Sequence, residues 1–149
     1  MKEKIGLQEF IRVLNGWENS MSKESVYQDM SEPERIVSEY LRELNIWWLY
    51  EFPIFVYDEK ERPRVWTPDF YLQNLRMFLE VVGSEKNYED AKQNYQYRQK
   101  IFKKNKIDVI FVHFWKEDWR THVVDMIRRI ENVRHSQVRK MIDSFFKKL

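Results

Sequence analysis

Residues 107–114, Ile-Asp-Val-Ile-Phe-Val-His-Phe, form an almost unbroken apolar run directly after a basic stretch, 88–104, that has helical spacing. Such a run, rich in β-branched and aromatic residues, reads as a strand covered on both faces and placed centrally in a sheet. Three more strands precede it, at 46–57 (interrupted near Pro53), 65–72 and 77–82. The short Gln73-Asn74 link predicts a hairpin between the second and third. The helix between the third and fourth predicts a crossover, which makes those two strands parallel.

Helices fill the rest. Residues 6–19 place Leu7, Phe10, Ile11, Leu14 and Trp17 at helical spacing, and 20–30 read as a polar connection. Ser31-Glu32-Pro33-Glu34 carries an N-cap serine, a first-turn proline and a capping-box glutamate, ahead of a stripe of Ile36, Val37, Tyr40, Leu41 and Leu44. Two further helices are expected at 119–133 and about 136–147. The expected order is α-α-β-β-β-α-β-α-α. With 149 residues the chain is expected to form one domain, 1–149. It is α/β, a mixed sheet flanked by helices, with a core of about 31–130 and extra helices at both ends.

Composition removes several chemistries. The three glycines, Gly6, Gly16 and Gly83, lie too far apart for a Walker loop or a Gly-x-Gly-x-x-Gly turn. The absence of cysteine excludes disulfides, thiolate zinc sites and thiol nucleophiles. His113, His122 and His135 have no usual zinc spacing, so a metal bound here takes mainly oxygen ligands. The net charge of +2 conceals two basic segments, net +5 over 86–106 and net +4 over 134–149, of the kind that attracts phosphate backbones. No apolar run approaches the ~18 residues of a membrane span, and the N-terminus has no signal-peptide apolar region. A soluble, intracellular (cytoplasmic) protein with no membrane partner is expected.

Two acids stand where apolar residues are wanted. Asp69 lies inside Val65-Trp66-Thr67-Pro68-Asp69-Phe70-Tyr71-Leu72, and Glu80 inside Met77-Phe78-Leu79-Glu80-Val81-Val82-Gly83. A buried carboxylate without a partner costs several kcal/mol or becomes neutral. Across a short hairpin the two can share one face and be stabilised together by a divalent cation. The competing reading gives each acid its own Lys or Arg partner, or points it into solvent.

Glu34, then Thr67-Pro68-Asp69-Phe70, then Leu79-Glu80-Val81-Val82-Gly83, followed by a helix and an apolar strand, resembles the PD-(D/E)XK superfamily of restriction-endonuclease-like nucleases. The resemblance covers roughly residues 31–130. It implies a restriction-endonuclease-like core and a metal-dependent DNA endonuclease that hydrolyses phosphodiester bonds with Mg²⁺ or Mn²⁺. Asp69, Glu80 and the Val81 carbonyl would hold the ion, with Glu34 reaching the site from its helix. Glu34 has an independent explanation as the capping-box residue. The resemblance also makes a homodimer an expectation, with the added terminal helices as its interface.

The family's lysine falls two residues after the glutamate, where this chain has Val82. Lys92 is the favoured substitute, with Lys86, Gln93 and Gln96 also near in sequence. Lys86, Lys92 and Arg98 are expected to contact DNA, and Tyr88, Tyr95 and Tyr97 either stack on bases or pack their helix on the sheet. The alternative to an active nuclease is a degenerate member of the fold that binds DNA or a protein partner without cutting.

Overall fold

The computed structural model describes residues 2–23 and 26–148, with the side chains of 6–18 and 26–148. Among the described residues six strands form two sheets: β1 (Trp48–Tyr50), β4 (Phe70–Leu72), β5 (Met77–Val82) and β6 (Val109–His113) in that spatial order, and a separate hairpin of β2 (Ile54–Tyr57) and β3 (Pro63–Trp66). β4 and β5 are antiparallel, whereas β5 and β6 are parallel, so the sheet is mixed as the crossover requires.

Both long strands expected upstream are divided by proline. The stretch 46–57 breaks at Glu51-Phe52-Pro53, where Glu51 takes a positive φ of 52°. The stretch 65–72 breaks at Thr67-Pro68-Asp69. Proline has no N–H for a ladder, so each strand ends in the main sheet and its other half folds away as the hairpin.

The first helical turn of α2 (Glu32–Glu43) is closed reciprocally. Ser31 Oγ accepts from the Glu34 N–H, and Glu34 Oε1 accepts from the Ser31 N–H, each at 3.2 Å. Val37 and Leu41 of α2, together with Trp119 and Val123 of α5 (Trp119–Lys147), bury one sheet face through Phe70, Leu79, Ile110 and Val112. On the opposite face Val82 and Phe111 pack beneath Phe102 of α4 (Lys92–Lys104), with Trp66 of the hairpin beside them.

Three expectations are corrected. The apolar strand β6 is not central but is the last strand of its sheet. Its continuous hydrophobicity comes from helices on both faces, not from a strand on either side. The helix expected at 88–104 is two helices, α3 (Glu85–Asp90) and α4, hinged at Ala91. The two expected terminal helices are one helix, α5, because nothing between 133 and 136 breaks the backbone. Its midpoint is fixed to the sheet by Arg134, which donates to Asp108 Oδ2 at 2.7 Å and to the carbonyls of Leu75 and Arg76.

The opening helix, α1 (Lys2–Lys23), extends beyond the expected 6–19 and packs on the β2–β3 hairpin. Its inward face is rotated from the expected stripe: Phe10, Leu14 and Trp17 are half-buried, while Leu7 and Ile11 are exposed. Trp17 donates from its indole N–H to the Tyr50 carbonyl at 2.6 Å.

Candidate active site

Asp69 sits in the bend that Pro68 creates between β3 and β4. The β4–β5 register pairs Phe70 with Leu79, so the next rung brings Asp69 opposite Glu80 on the same face of the sheet. Glu51 continues the row on the other side, its N–H donating to the Asp69 carbonyl at 2.9 Å. Glu51 just after β1, Asp69 just before β4 and Glu80 within β5 thus occupy one row of the sheet.

The backbone between them is arranged by Pro68. One rung further, Val81 faces Pro68, which has no N–H to give to the Val81 carbonyl. The Val81 N–H is instead taken by Asp69 Oδ2 at 2.6 Å. The carbonyl of Val81 projects from the same side of the strand as its N–H and therefore faces the same gap.

Burial is the main force on these carboxylates. It raises the Asp69 pKa, with the Glu80 charge adding to it and the Val81 N–H opposing it, to about 8. Glu80, only 8% exposed, is also pushed up by burial, against the pull of Arg98. Glu34 adds its negative charge to both, so the capping-box glutamate belongs to the same electrostatic cluster. The Tyr50 hydroxyl, close to Glu34, is raised by burial and then by that carboxylate. Packing of α2 brings Glu34 here: Pro33 Cγ would lie 3.6 Å from a Cβ at Gly83, at the end of β5.

Arg98 on α4 donates from Nη2 to Glu80 Oε1. Its guanidinium carbon is 4.7 Å from the centroid of Trp66 and 5.4 Å from that of Phe102. A planar cation held between rings and a carboxylate is strongly oriented. The expected basic neighbour, Lys92, is exposed at the start of α4 beside Glu89 and Asp90, and Lys86 is exposed on α3. The basic side chain in contact with Glu80 is therefore Arg98, expected only as a DNA contact and found half-buried against the sheet. Tyr95 borders the same acids, whose charges raise its hydroxyl pKa after burial. Val82, at the position of the missing lysine, is fully buried against Phe102 and Phe111.

Glu51 was not singled out from sequence. The criterion that found Asp69 and Glu80, an acid inside an aromatic and β-branched run, applies equally to Tyr50-Glu51-Phe52. The signal for Arg98 is its spacing from Tyr95 and Phe102, which puts all three on one face of α4.

Among the described residues no three His, Asp or Glu side chains group closely enough to hold a metal ion by themselves. The donors that the β4–β5 register sets on neighbouring rungs are two carboxylates and a main-chain carbonyl, all oxygen, a set of the type that suits a hard divalent cation completed by water. One guanidinium faces this row, so with Asp69 and Glu80 ionised the site carries excess negative charge. Comparisons with known protein families, with curated proteins and with solved structures gave no match.

Proposed function

We propose that the chain is a Mg²⁺- or Mn²⁺-dependent DNA endonuclease of the PD-(D/E)XK type, with the β1-β4-β5-β6 sheet and α2 as its restriction-endonuclease-like core. The observation that carries this reading is the Asp69–Glu80 pair across the β4–β5 ladder, with the Val81 backbone presented between them by Pro68.

Asp69, Glu80 and the Val81 carbonyl would hold the ion. A bound divalent cation polarises the scissile phosphate and lowers the pKa of an attacking water. Burial and the neighbouring Glu80 charge favour the protonated form of Asp69, so this carboxyl would have to give up a proton to serve as a ligand. Arg98 compensates Glu80 and positions it. With Val82 buried, Arg98 is the basic side chain set against the acids, and it would turn to a phosphate oxygen only where a bound ion compensates Glu80 in its stead. Glu34 borders the site from the first turn of α2. The basic segment 86–106 supplies the field that draws the DNA backbone towards α4.

Incubating the protein with supercoiled plasmid in Mg²⁺, Mn²⁺ or EDTA tests the proposal. Nicking or linearisation is expected with either metal and not with EDTA, and Asp69→Asn is expected to abolish it while DNA binding persists. Activity that survives in Asp69→Asn contradicts the assignment.

One observation favours a second reading, a fold that binds DNA or a protein without cutting: the lysine position is a core valine and the nearest cation is committed to Glu80. Salt-sensitive DNA binding with no cleavage under any metal is its expected signature.

A further inference from the structure

The outer edge of β6 is open, since β6 is the last strand of the four-stranded sheet. Which of its backbone groups face outward follows from the ladder. Phe78 N–H bonds to the Asp108 carbonyl at 2.8 Å, and Phe114 N–H to the Val82 carbonyl at 3.0 Å. In a parallel pair alternate residues turn to the partner, so Ile110 and Val112 face β5 while Val109 and Phe111 face away. The N–H and C=O groups of Val109 and Phe111 thus form a short strand edge with no backbone partner among the described residues.

This edge opens into a cleft of about 810 Å³ between α4 and α5, lined in part by Ile107, Val109, Phe111 and Ile130. The volume is that of a ligand cleft. Its rim is basic: Lys103 and Lys106 on the α4 side and Arg129 on α5 are exposed, while Asp108 beside them is already engaged by Arg134.

The geometry points to a docking site for an extended peptide of alternating acidic and apolar residues, which adds to β6 as a further strand. An unpaired edge requires donors and acceptors in alternation, which a peptide backbone supplies. A phosphodiester chain supplies acceptors alone and leaves the Val109 and Phe111 carbonyls unmet. A second copy of this chain, paired edge to edge through β6, brings two basic rims together and is disfavoured by like charge. An acidic strand satisfies all three features: backbone pairs with backbone, its carboxylates on one face reach Lys103 and Lys106 on the α4 side, and its apolar side chains on the other face pack against Ile130 on the α5 side. This site is independent of the Asp69–Glu80 chemistry.

The test uses the whole chain and a fluorescein-labelled heptapeptide of alternating glutamate and valine. Its controls are the lysine–valine counterpart, a version with central proline, and a single-stranded oligonucleotide of equal length. The glutamate peptide is expected to bind, and both peptide controls at least about tenfold more weakly. The amides of Val109 and Phe111 are expected to become protected from hydrogen exchange in the complex. Lys103→Glu with Lys106→Glu, a change of two exposed residues that spares the core, is expected to weaken the peptide about tenfold. Val109→Pro, at a first strand position where proline is accepted, is expected to abolish the added strand. The inference is overturned by failure of the glutamate peptide to bind, by unchanged exchange at Val109 and Phe111, by protection of those amides by the oligonucleotide instead of the peptide, or by a dimer that the charge-reversed variant dissociates.

Discussion

Pro68 stands opposite Val81 two rungs beyond the last regular β4–β5 pair, and the Val81 carbonyl lacks a ladder donor because proline has no N–H. The same proline turns the chain so that Asp69 accepts the Val81 N–H at 2.6 Å. A proline–aspartate pair is thus a device for opening a sheet at one point and lining the opening with oxygen. In Pro68→Ala an N–H becomes available to close the ladder. The variant is expected to be no less stable than the parent but to bind Mn²⁺ about tenfold more weakly, the size of effect seen when a supporting contact is altered. Titration calorimetry alongside thermal unfolding checks both halves. Equal Mn²⁺ affinity would show that the carbonyl plays no part.

Asp69 makes the metal-free protein sensitive to pH in an unusual direction. Its pKa in the folded state, about 8, lies above the ordinary value of 3.8. A raised carboxylate favours the folded state while protonated, so its contribution is full below about pH 4 and is lost as pH rises through 8. Thermal stability in EDTA is expected to decline across that window, and Asp69→Asn to flatten the decline. Mn²⁺ binding at pH 7 is expected to release a proton, seen as a buffer-dependent heat in calorimetry. A flat profile in the parent contradicts the assignment.

Arg98 serves Glu80 both as a charge and as a packed plane. Removing one partner of a largely buried pair leaves the other uncompensated, so Arg98→Ala is expected to lose about 3 kcal/mol in urea unfolding. Arg98→Lys keeps the charge but not the stack on Trp66, 4.7 Å away, and is expected to recover only part of the loss. Because a bound divalent ion compensates Glu80 as well, Mn²⁺ is expected to stabilise Arg98→Ala more than the parent. Equal stabilisation of the two would separate Arg98 from the ion site.

Gly6 decides how α1 meets the hairpin. A Cβ there would lie 2.5 Å from Pro63 Cβ and 2.7 Å from Phe55 Cε2. Alanine gains about 1 kcal/mol of helix propensity, whereas forcing a methyl group into a filled contact costs about 1–3 kcal/mol. Gly6→Ala is therefore expected to be destabilising in urea unfolding. A more stable variant would mean that α1 is free to lift from Pro63.

Local patterns carried much of this fold. The capping box at Ser31, the Gln73-Asn74 turn and the crossover between β5 and β6 are set by residues close in sequence, and each was legible. Positions set by tertiary packing were not. Whether β6 lies centrally or at an edge depends on how many strands pair with it, and helices covering both faces produce the same apolar run. The split of 65–72 was signalled by Pro68, but the departure of β3 into its own hairpin was not. At the site, Asp69 and Glu80 stood out because acids are conspicuous inside strands. Arg98 did not, because a lysine- and arginine-rich helix gives no sign of which cation turns inward; the neighbouring Trp66 and Phe102 decide it.

Direct binding of Mn²⁺ to the parent and to Asp69→Asn, followed by electron paramagnetic resonance at neutral pH, bears most closely on the carboxylate pair. One tightly held ion per chain is expected in the parent, with affinity reduced at least about tenfold in the variant. Identical binding by the two proteins, or no binding by either, would contradict a metal centre at Asp69 and Glu80.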